Sequence, residues 1–257
     1  MAEQHSMIRY KTVVTVISAT LVLIVVAALL LDSNSAVTPE PRNSKFWQNR
    51  FDEINQRTYQ DEIDLLFVGD SITHFWEGTI FPENGEPHPA TGQAAWDEYF
   101  THRKAANIGI GNDRTENLLW RLDNGNLDGI SPKLTVLLIG TNNWRSNTAP
   151  EIADGIIAAV DSLLEKLPQS DVLLMGIFPR GERPNKIRAM MSEASALAAN
   201  QISGNKRVIY LDIGEKLLSD DGLLPTNIMP DSLHLSTEGY RVWAEAIEPV
   251  ISEILHE

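Results

Sequence analysis

Five short apolar runs constrain this chain more than anything else in it: DLLFV (64–68), AANIGI (105–110), LTVLLI (134–139), VLLMGIF (172–178) and RVIYLDI (207–213). Most lack the in-and-out alternation of a half-exposed strand, which is the pattern of strands covered by helices on both faces. Segments with helical spacing lie between them. Ile152, Ile156, Val160, Leu163 and Leu167 share one stripe, opened by Thr148 and Glu151 in capping-box spacing with Pro150 between them. A second stripe carries Ile187, Met191, Ala194, Leu197 and Ile202. A last helix is expected from about Thr237 to Leu255, with Pro249 as a kink. Phe46, Trp47, Phe51 and Ile54 fall on one helical face ahead of the first run. Strand–helix alternation of this kind predicts a doubly wound α/β domain built on a parallel sheet of five strands. The one long irregular piece, Glu77 to Ala95, is rich in Gly and Pro and reads as a surface insertion, with a lid over a site as the functional alternative.

The N-terminus carries a different signal. TVVTVISATLVLIVVAALLL, residues 12–31, is free of charge, and as a helix rising ~1.5 Å per residue it would span the roughly 30 Å hydrocarbon layer. Arg9 and Lys11 precede it and Asp32 follows, so residues 1–11 are expected on the cytoplasmic side and everything after residue 31 outside. A cleaved signal peptide is the alternative, although its apolar region is usually shorter, about 7–15 residues. Cleavage would release a secreted protein. DSNSAVTPEPRN, residues 32–43, is polar with two prolines and reads as a tether, which leaves residues 44–257 as the folded domain.

Composition removes several classes of function. The chain has no cysteine, which excludes disulfides, thiolate metal sites and a cysteine nucleophile. Its net charge is −14 with no Lys- or Arg-rich stretch, so a polyanion would be repelled and nucleic-acid binding is not expected. The six histidines form no H-E-x-x-H pattern, and no metal is expected. Gly109 and Gly111 begin a G-x-G, but Arg114 stands where the dinucleotide fingerprint needs glycine. No Gly-Lys-Ser or Gly-Lys-Thr is present for a phosphate loop, and no cofactor is expected.

In an open parallel sheet, ligands bind beyond the carboxyl ends of the strands. The residues following the five runs are Gly69-Asp70-Ser71, then Gly109 to Asp113, Gly140 to Asn143, Pro179 to Gly181, and finally the loop to Pro230-Asp231-Ser232-Leu233-His234. All candidate polar groups therefore gather at one sheet edge. Ser71, where a strand turns into a helix, is the candidate nucleophile, placed beside unpaired backbone N–H groups. His234 can take its proton and Asp231 can hold the imidazole in the required tautomer. Gly109, with no side chain, can offer its backbone N–H to an oxyanion, and Asn142 a neutral amide. Each residue alone has a plain rival role, since a Ser at a helix start is most often an N-cap and an Asn after a strand is usually turn chemistry. His74, one turn beyond Ser71, is a rival base that lacks an evident acid partner and reads as pocket lining or surface. Trp76 and Trp144 could wall a pocket or pack the core, and Arg114 and Arg180 could hold a substrate anion or form structural salt bridges.

Taken together, GDSI (69–72), Gly109 within NIGIG, GTNN (140–143) and DSLH (231–234) resemble the four signature blocks of the SGNH (GDSL-type) esterases, in order and across residues 64 to the C-terminus. NIGIGNDRTENLLWRLDNGNLDGISPK (107–133) and FPRGERPN (178–185) are similar to the esterases of the platelet-activating-factor acetylhydrolase catalytic-subunit type. The resemblance implies a three-layer, flavodoxin-like fold and a metal-free serine esterase. It implies Ser71, Asp231 and His234 as the catalytic triad, an oxyanion hole from the Ser71 N–H, the Gly109 N–H and Asn142, and a homodimer. Asn112 departs from that subgroup, which tends to carry a second glycine there, and would narrow the pocket or add a polar contact. The expectation is an extracytoplasmic, membrane-tethered esterase that removes acetyl or other short acyl groups from a small-molecule or glycan ester. The alternatives are a lysophospholipase or thioesterase, and a non-catalytic glycan-binding module on the same fold.

Overall fold

The protein is described by a computed structural model over residues 34–58, 62–76 and 92–256. Residues Ser35–Glu257 form one folded unit. The apolar run at 12–31 lies outside the described residues, and none of the described helices is long and apolar enough to cross a membrane.

All five expected strands form: β1 (Leu65–Gly69), β2 (Ala105–Asn107), β3 (Leu134–Leu138), β4 (Asp171–Met175) and β5 (Val208–Leu211). They pair in parallel in the order β2-β1-β3-β4-β5, the flavodoxin-like winding. The strand order reverses between β1 and β3, where Leu65 faces Leu134 and Gly69 faces Leu138. Helices α1 (Lys45–Thr58), α2 (Ser71–His74), α3 (Gln93–Tyr99), α4 (Thr115–Asp123), α5 (Ala149–Lys166), α6 (Lys186–Gln201) and α7 (Thr237–Leu255) complete the unit.

Three layers follow from the pleat. Leu66, Val68, Leu137, Val172 and Leu174 point into one apolar core shared with Trp47 and Ile54 of α1, Leu118 and Leu122 of α4, Ile152, Ile156, Val160 and Leu163 of α5, and Met191 of α6. Leu65, Phe67, Val136, Leu138, Leu173 and Met175 point into a second core with Trp96 of α3 and Tyr240, Trp243 and Ile247 of α7. β1 and β3 are buried along their whole length, as continuous apolar runs require. β5 departs from that expectation. It is an edge strand with Ile209 exposed, because only β4 pairs with it.

The sequence expectations need two further corrections. Residues 35–43 are not a free tether: Ser35–Val37 form a 3-10 turn, and Ala36 is fully buried. The Thr115 hydroxyl donates to Ala36 O at 2.7 Å, the Glu40 N–H donates to Glu116 O at 3.0 Å, and the Asn147 amide donates to Ser35 Oγ at 3.0 Å. The folded unit therefore begins near residue 35 rather than 44. The piece expected to be irregular through Ala95 is helical from Gln93, where Ala95 and Trp96 pack into the core beside α7. Helix α7 covers the expected span, Thr237–Leu255, with Pro249 inside it.

Candidate active site

Ser71 is the first residue of α2, directly after β1. Asp70 caps the helix, its Oδ1 accepting from the Ile72 N–H at 3.0 Å. As the first helical residue, Ser71 has an N–H with no intrahelical acceptor. The Tyr240 hydroxyl donates to Ile72 O at 2.6 Å and pins the short helix to α7. His234 lies far away in sequence, yet its Nε2 is 2.9 Å from Ser71 Oγ. Its Nδ1 is 2.6 Å from Asp231 Oδ2. Asp231 Oδ1 accepts from the backbone N–H groups of Leu233 (3.0 Å) and His234 (2.7 Å), so one carboxylate orients both the loop and the ring. Half-burial works against the Asp231 charge, but the hydrogen bonds from the His234 ring and backbone overcome it and hold the carboxyl well below its ordinary pKa. The three residues thus stand in a line of hydroxyl, imidazole and carboxylate. Ser232, the other hydroxyl of that loop, sits at φ +59° with its backbone N–H donating to Met229 O, outside the line.

The loop after β2 does not behave as its glycines suggest. The Gly109 N–H is already committed, donating to Asn107 Oδ1 at 2.8 Å. A Cβ at Gly109 would stand 2.4 Å from the His74 backbone N, so close approach to α2 is what requires glycine here. Its assignment as an oxyanion donor is therefore corrected. The remaining donors of this loop can be accounted for one by one. Ile110 N–H donates to Gly69 O, Gly111 N–H to His74 Nδ1 and Asp113 N–H to Ile110 O. Only the Asn112 N–H has no acceptor among the described residues. Asn112 sits at φ +64°, a left-handed conformation that asparagine tolerates better than most residues and glycine better still. That conformation explains why an asparagine can stand where the resembling subgroup tends to have glycine.

Asn142 lies in the 3-10 turn Thr141–Arg145 after β3, and one of its amide hydrogens goes to Asp113 O at 2.9 Å. The amide has a second hydrogen to offer. Asn143, its neighbour in GTNN, is fully buried and serves the scaffold: its amide contacts Thr115 Oγ1, Glu116 Oε2 and Asn147 Oδ1, each at 3.0 Å.

His74 is not a rival base. It is buried, its ring stacks on Phe46, and its Nδ1 accepts the Gly111 N–H at 3.3 Å. Burial, with the nearby charges of Arg50 and Arg121, keeps its pKa well below the ordinary value, so it stays neutral and supports the loop. Trp76 is fully buried in the core, 4.5 Å from the Tyr240 ring centroid. Arg114 pairs with Glu116 at 2.8 Å. No group of His, Asp or Glu among the described residues could hold a metal ion.

Asp113 is the anchor that the motifs do not announce. Its carboxylate is fully buried, 2.7 Å from Arg121 Nε and 2.6 Å from Trp47 Nε1. Arg121 also donates to Gly69 O at 2.9 Å and to Asn126 Oδ1 at 2.9 Å. One buried ion pair thereby ties the end of β1, which precedes Ser71, to the loop bearing Asn112, whose Asp113 O in turn holds the Asn142 amide.

This geometry meets an independent finding. Residues 67–242 match the model of the GDSL-like Lipase/Acylhydrolase family. The chain belongs to that family. It is 34% identical over 230 residues, 88% of this chain and 94% of the other, to platelet-activating factor acetylhydrolase IB subunit alpha2 of Rattus norvegicus. A Streptococcus pneumonia structure named for a platelet activating factor superposes with a TM-score of 0.65 at 23% identity, over 80% of this chain and 93% of that one. A carbohydrate acetylesterase from Sinorhizobium meliloti gives a TM-score of 0.55 at 20% identity, over 75% and 100%. The chain is a carboxylic ester hydrolase on the three-layer SGNH fold.

Proposed function

We propose that the protein is a membrane-tethered serine esterase that removes short acyl groups, acetyl above all, through an acyl-Ser71 intermediate. The observation that carries this reading is the unbroken line from Ser71 Oγ to His234 Nε2 (2.9 Å) and from His234 Nδ1 to Asp231 Oδ2 (2.6 Å). His234 takes the Ser71 proton as Oγ attacks the acyl carbon. The carbonyl oxygen becomes an oxyanion, facing the Ser71 N–H, the Asn112 N–H and the second amide hydrogen of Asn142. Collapse breaks the bond to the alcohol oxygen, which leaves with the proton from His234. Water then attacks the acyl-serine, giving its proton to His234, and the carboxylic acid departs as Ser71 is reprotonated. The Asp231 carboxylate keeps the Nδ1 proton in place and stabilises the imidazolium of both steps.

Acetyl is favoured because a relative 34% identical to this chain is named an acetylhydrolase subunit, and because a similar fold serves a carbohydrate acetylesterase. The uncharged run at 12–31 supports tethering with the catalytic unit outside the cytoplasmic membrane, where acetylated glycans and small esters are available substrates. The test is hydrolysis of p-nitrophenyl esters from acetyl to octanoyl by wild type and Ser71→Ala. A short-chain optimum, with the folded variant inactive, is expected. An optimum at octanoyl favours a lysophospholipase or thioesterase instead, and an inert wild type overturns the esterase assignment.

A further inference from the structure

Two guanidinium groups at the mouth of the site take no part in the reaction just described. Arg180 follows β4, half-buried, and its Nη1 donates to Thr141 O at 2.9 Å and to Thr141 Oγ1 at 3.2 Å, one residue before Asn142. The next N–H, that of Gly181, donates to Ser232 O at 2.8 Å. Arg180 is thus held between the loop carrying Asn142 and the loop carrying Asp231 and His234. Its guanidinium carbon stands 5.6 Å from the centroid of the Trp144 ring, and that of the exposed Arg145 stands 4.7 Å from the same ring. Among the described residues, neither arginine has a carboxylate within ion-pair distance.

Arg42 and Arg188 also lack a carboxylate partner among the described residues, but both turn their guanidinium groups onto backbone carbonyls, Arg188 through all three of its nitrogens. Acidic residues outnumber basic ones by 35 to 21, and Arg103, Arg114 and Arg121 each hold a carboxylate partner. Burial pulls the pKa of Arg180 down from its ordinary value; Asp70 and Asp231 pull it up, and Arg145 pulls it down again. Two like charges against one aromatic ring repel, and an anion bound near both relieves that cost. Arg180 Nε and Nη2 have no acceptor among the described residues, which leaves a donor fork of the kind that matches carboxylate and phosphate oxygens.

We infer that Arg180 and Arg145, backed by Trp144, form a subsite for an anionic oxygen group, carboxylate or phosphate, carried by the alcohol half of the ester. The inference rests on the esterase reading above and narrows its substrate class to acyl esters of acidic alcohols.

The test uses the full chain and three aryl acetates: 4-acetoxybenzoate, its neutral methyl ester, and 4-acetoxyphenyl phosphate. Comparing each variant with wild type on the same ester cancels differences in leaving-group quality. Arg180→Gln is expected to lower kcat/KM on the anionic esters about 10–100-fold more than on the methyl ester, the weight of one charge-assisted hydrogen-bonded pair, with the loss in KM. Arg145→Gln, at an exposed position, should move the same ratio in the same direction without disturbing the fold, and Arg180→Lys should restore part of it. The relative sizes of the carboxylate and phosphate effects identify which anion the subsite prefers. If Arg180→Gln lowers kcat/KM equally on all three esters, Arg180 only anchors Thr141 and the subsite is refuted. Equal insensitivity of the ratio to Arg145→Gln and Arg180→Gln refutes it too. A wild type that cleaves none of the three, nor any p-nitrophenyl ester, removes the esterase reading and the subsite with it.

Discussion

Asp70 shows what the nucleophile's position costs at the scale of a single residue. It caps α2 through Oδ1, but it is fully buried and its Oδ2 has no hydrogen-bond partner among the described residues. Burial raises its pKa to about 7, against the opposing pull of the Ile72 N–H. A carboxyl whose folded pKa lies above its unfolded value binds its proton more tightly when folded. Stability therefore falls as pH rises from the unfolded pKa near 4 to the folded one, by up to about 4 kcal/mol for three units. Asp70→Asn keeps the capping oxygen and removes the charge. We expect the variant to gain several degrees in Tm over wild type at pH 8, with the gain shrinking toward pH 5. A gap that stays constant from pH 5 to pH 8 would mean that Asp70 does not titrate in this range. Asp231 has the opposite sign. Its lowered pKa gives stability that is present above the unfolded value near 4 and lost as pH falls below it. Asp231→Asn should lower kcat by about 10³–10⁴-fold, because an amide cannot hold both the His234 tautomer and the imidazolium charge. A kcat within tenfold of wild type, measured on p-nitrophenyl acetate, would remove Asp231 from the reaction.

At the scale of elements, the segment from Ser35 to Arg42 acts as a strap. Thr115, Asn117 and Asn147 all send side-chain hydrogens into it, and Arg42 Nη1 donates to Gly111 O at 2.8 Å. Removing residues 1–43 leaves the buried Thr115 and Asn117 groups and the Glu116 carbonyl without these partners. At about 1–3 kcal/mol for each unsatisfied buried group, offset by the ordering entropy no longer spent on the strap, the net loss should be about 2–4 kcal/mol. A chain beginning at residue 34 should melt higher than one beginning at 44, and should also show the higher kcat, since Arg42 holds the loop bearing Asn112. Identical Tm values for the two would show that the strap contributes nothing. The same elements show what the sequence makes legible. Strands β1 and β3 and helix α5 were plain, because complete burial writes continuous apolar runs and an amphipathic helix writes a stripe. The line of Ser71, His234 and Asp231 was legible because Ser71 directly follows β1 and Asp231 and His234 share one short motif ahead of α7. The strap was not, because it is held by backbone carbonyls and by side chains from α4 and the turn before α5, and such partners leave no local pattern. Gly109 misled for a related reason: a glycine needed to approach His74 looks in sequence like a glycine needed to approach a ligand. Asn112 carried the better clue as a departure from the expected glycine, since both residues suit φ +64°.

Across the whole molecule, the buried Asp113–Arg121 pair decides how the separate loops become one site. Arg121 belongs to α4 and Asp113 to the loop after β2; the pair is completed by Trp47 of α1 and by Gly69 O at the end of β1. The backbone oxygen of Asp113 then holds the Asn142 amide on the far side of the switch point. Burial raises the pKa of Asp113 and lowers that of Arg121, while each draws the other back toward its charged form. A buried pair of this kind is weak as a source of net stability, but costly to break, about 3–5 kcal/mol when one partner is removed. Arg121→Met should therefore destabilise strongly, and what survives should have a reduced kcat with little change in KM, because Asn142 and Asn112 lose their common support while the Arg180 side of the mouth is untouched. Arg121→Met combined with Asp113→Asn removes the stranded charge, so the pair should recover part of the stability lost by the single variant. It should not recover kcat, since the link from Gly69 O to the loop bearing Asn112 is still absent. Denaturant unfolding and steady-state kinetics on p-nitrophenyl acetate separate the two effects. Recovery of both together would make the ion pair a purely structural element, with no part in aligning Ser71 with Asn112 and Asn142.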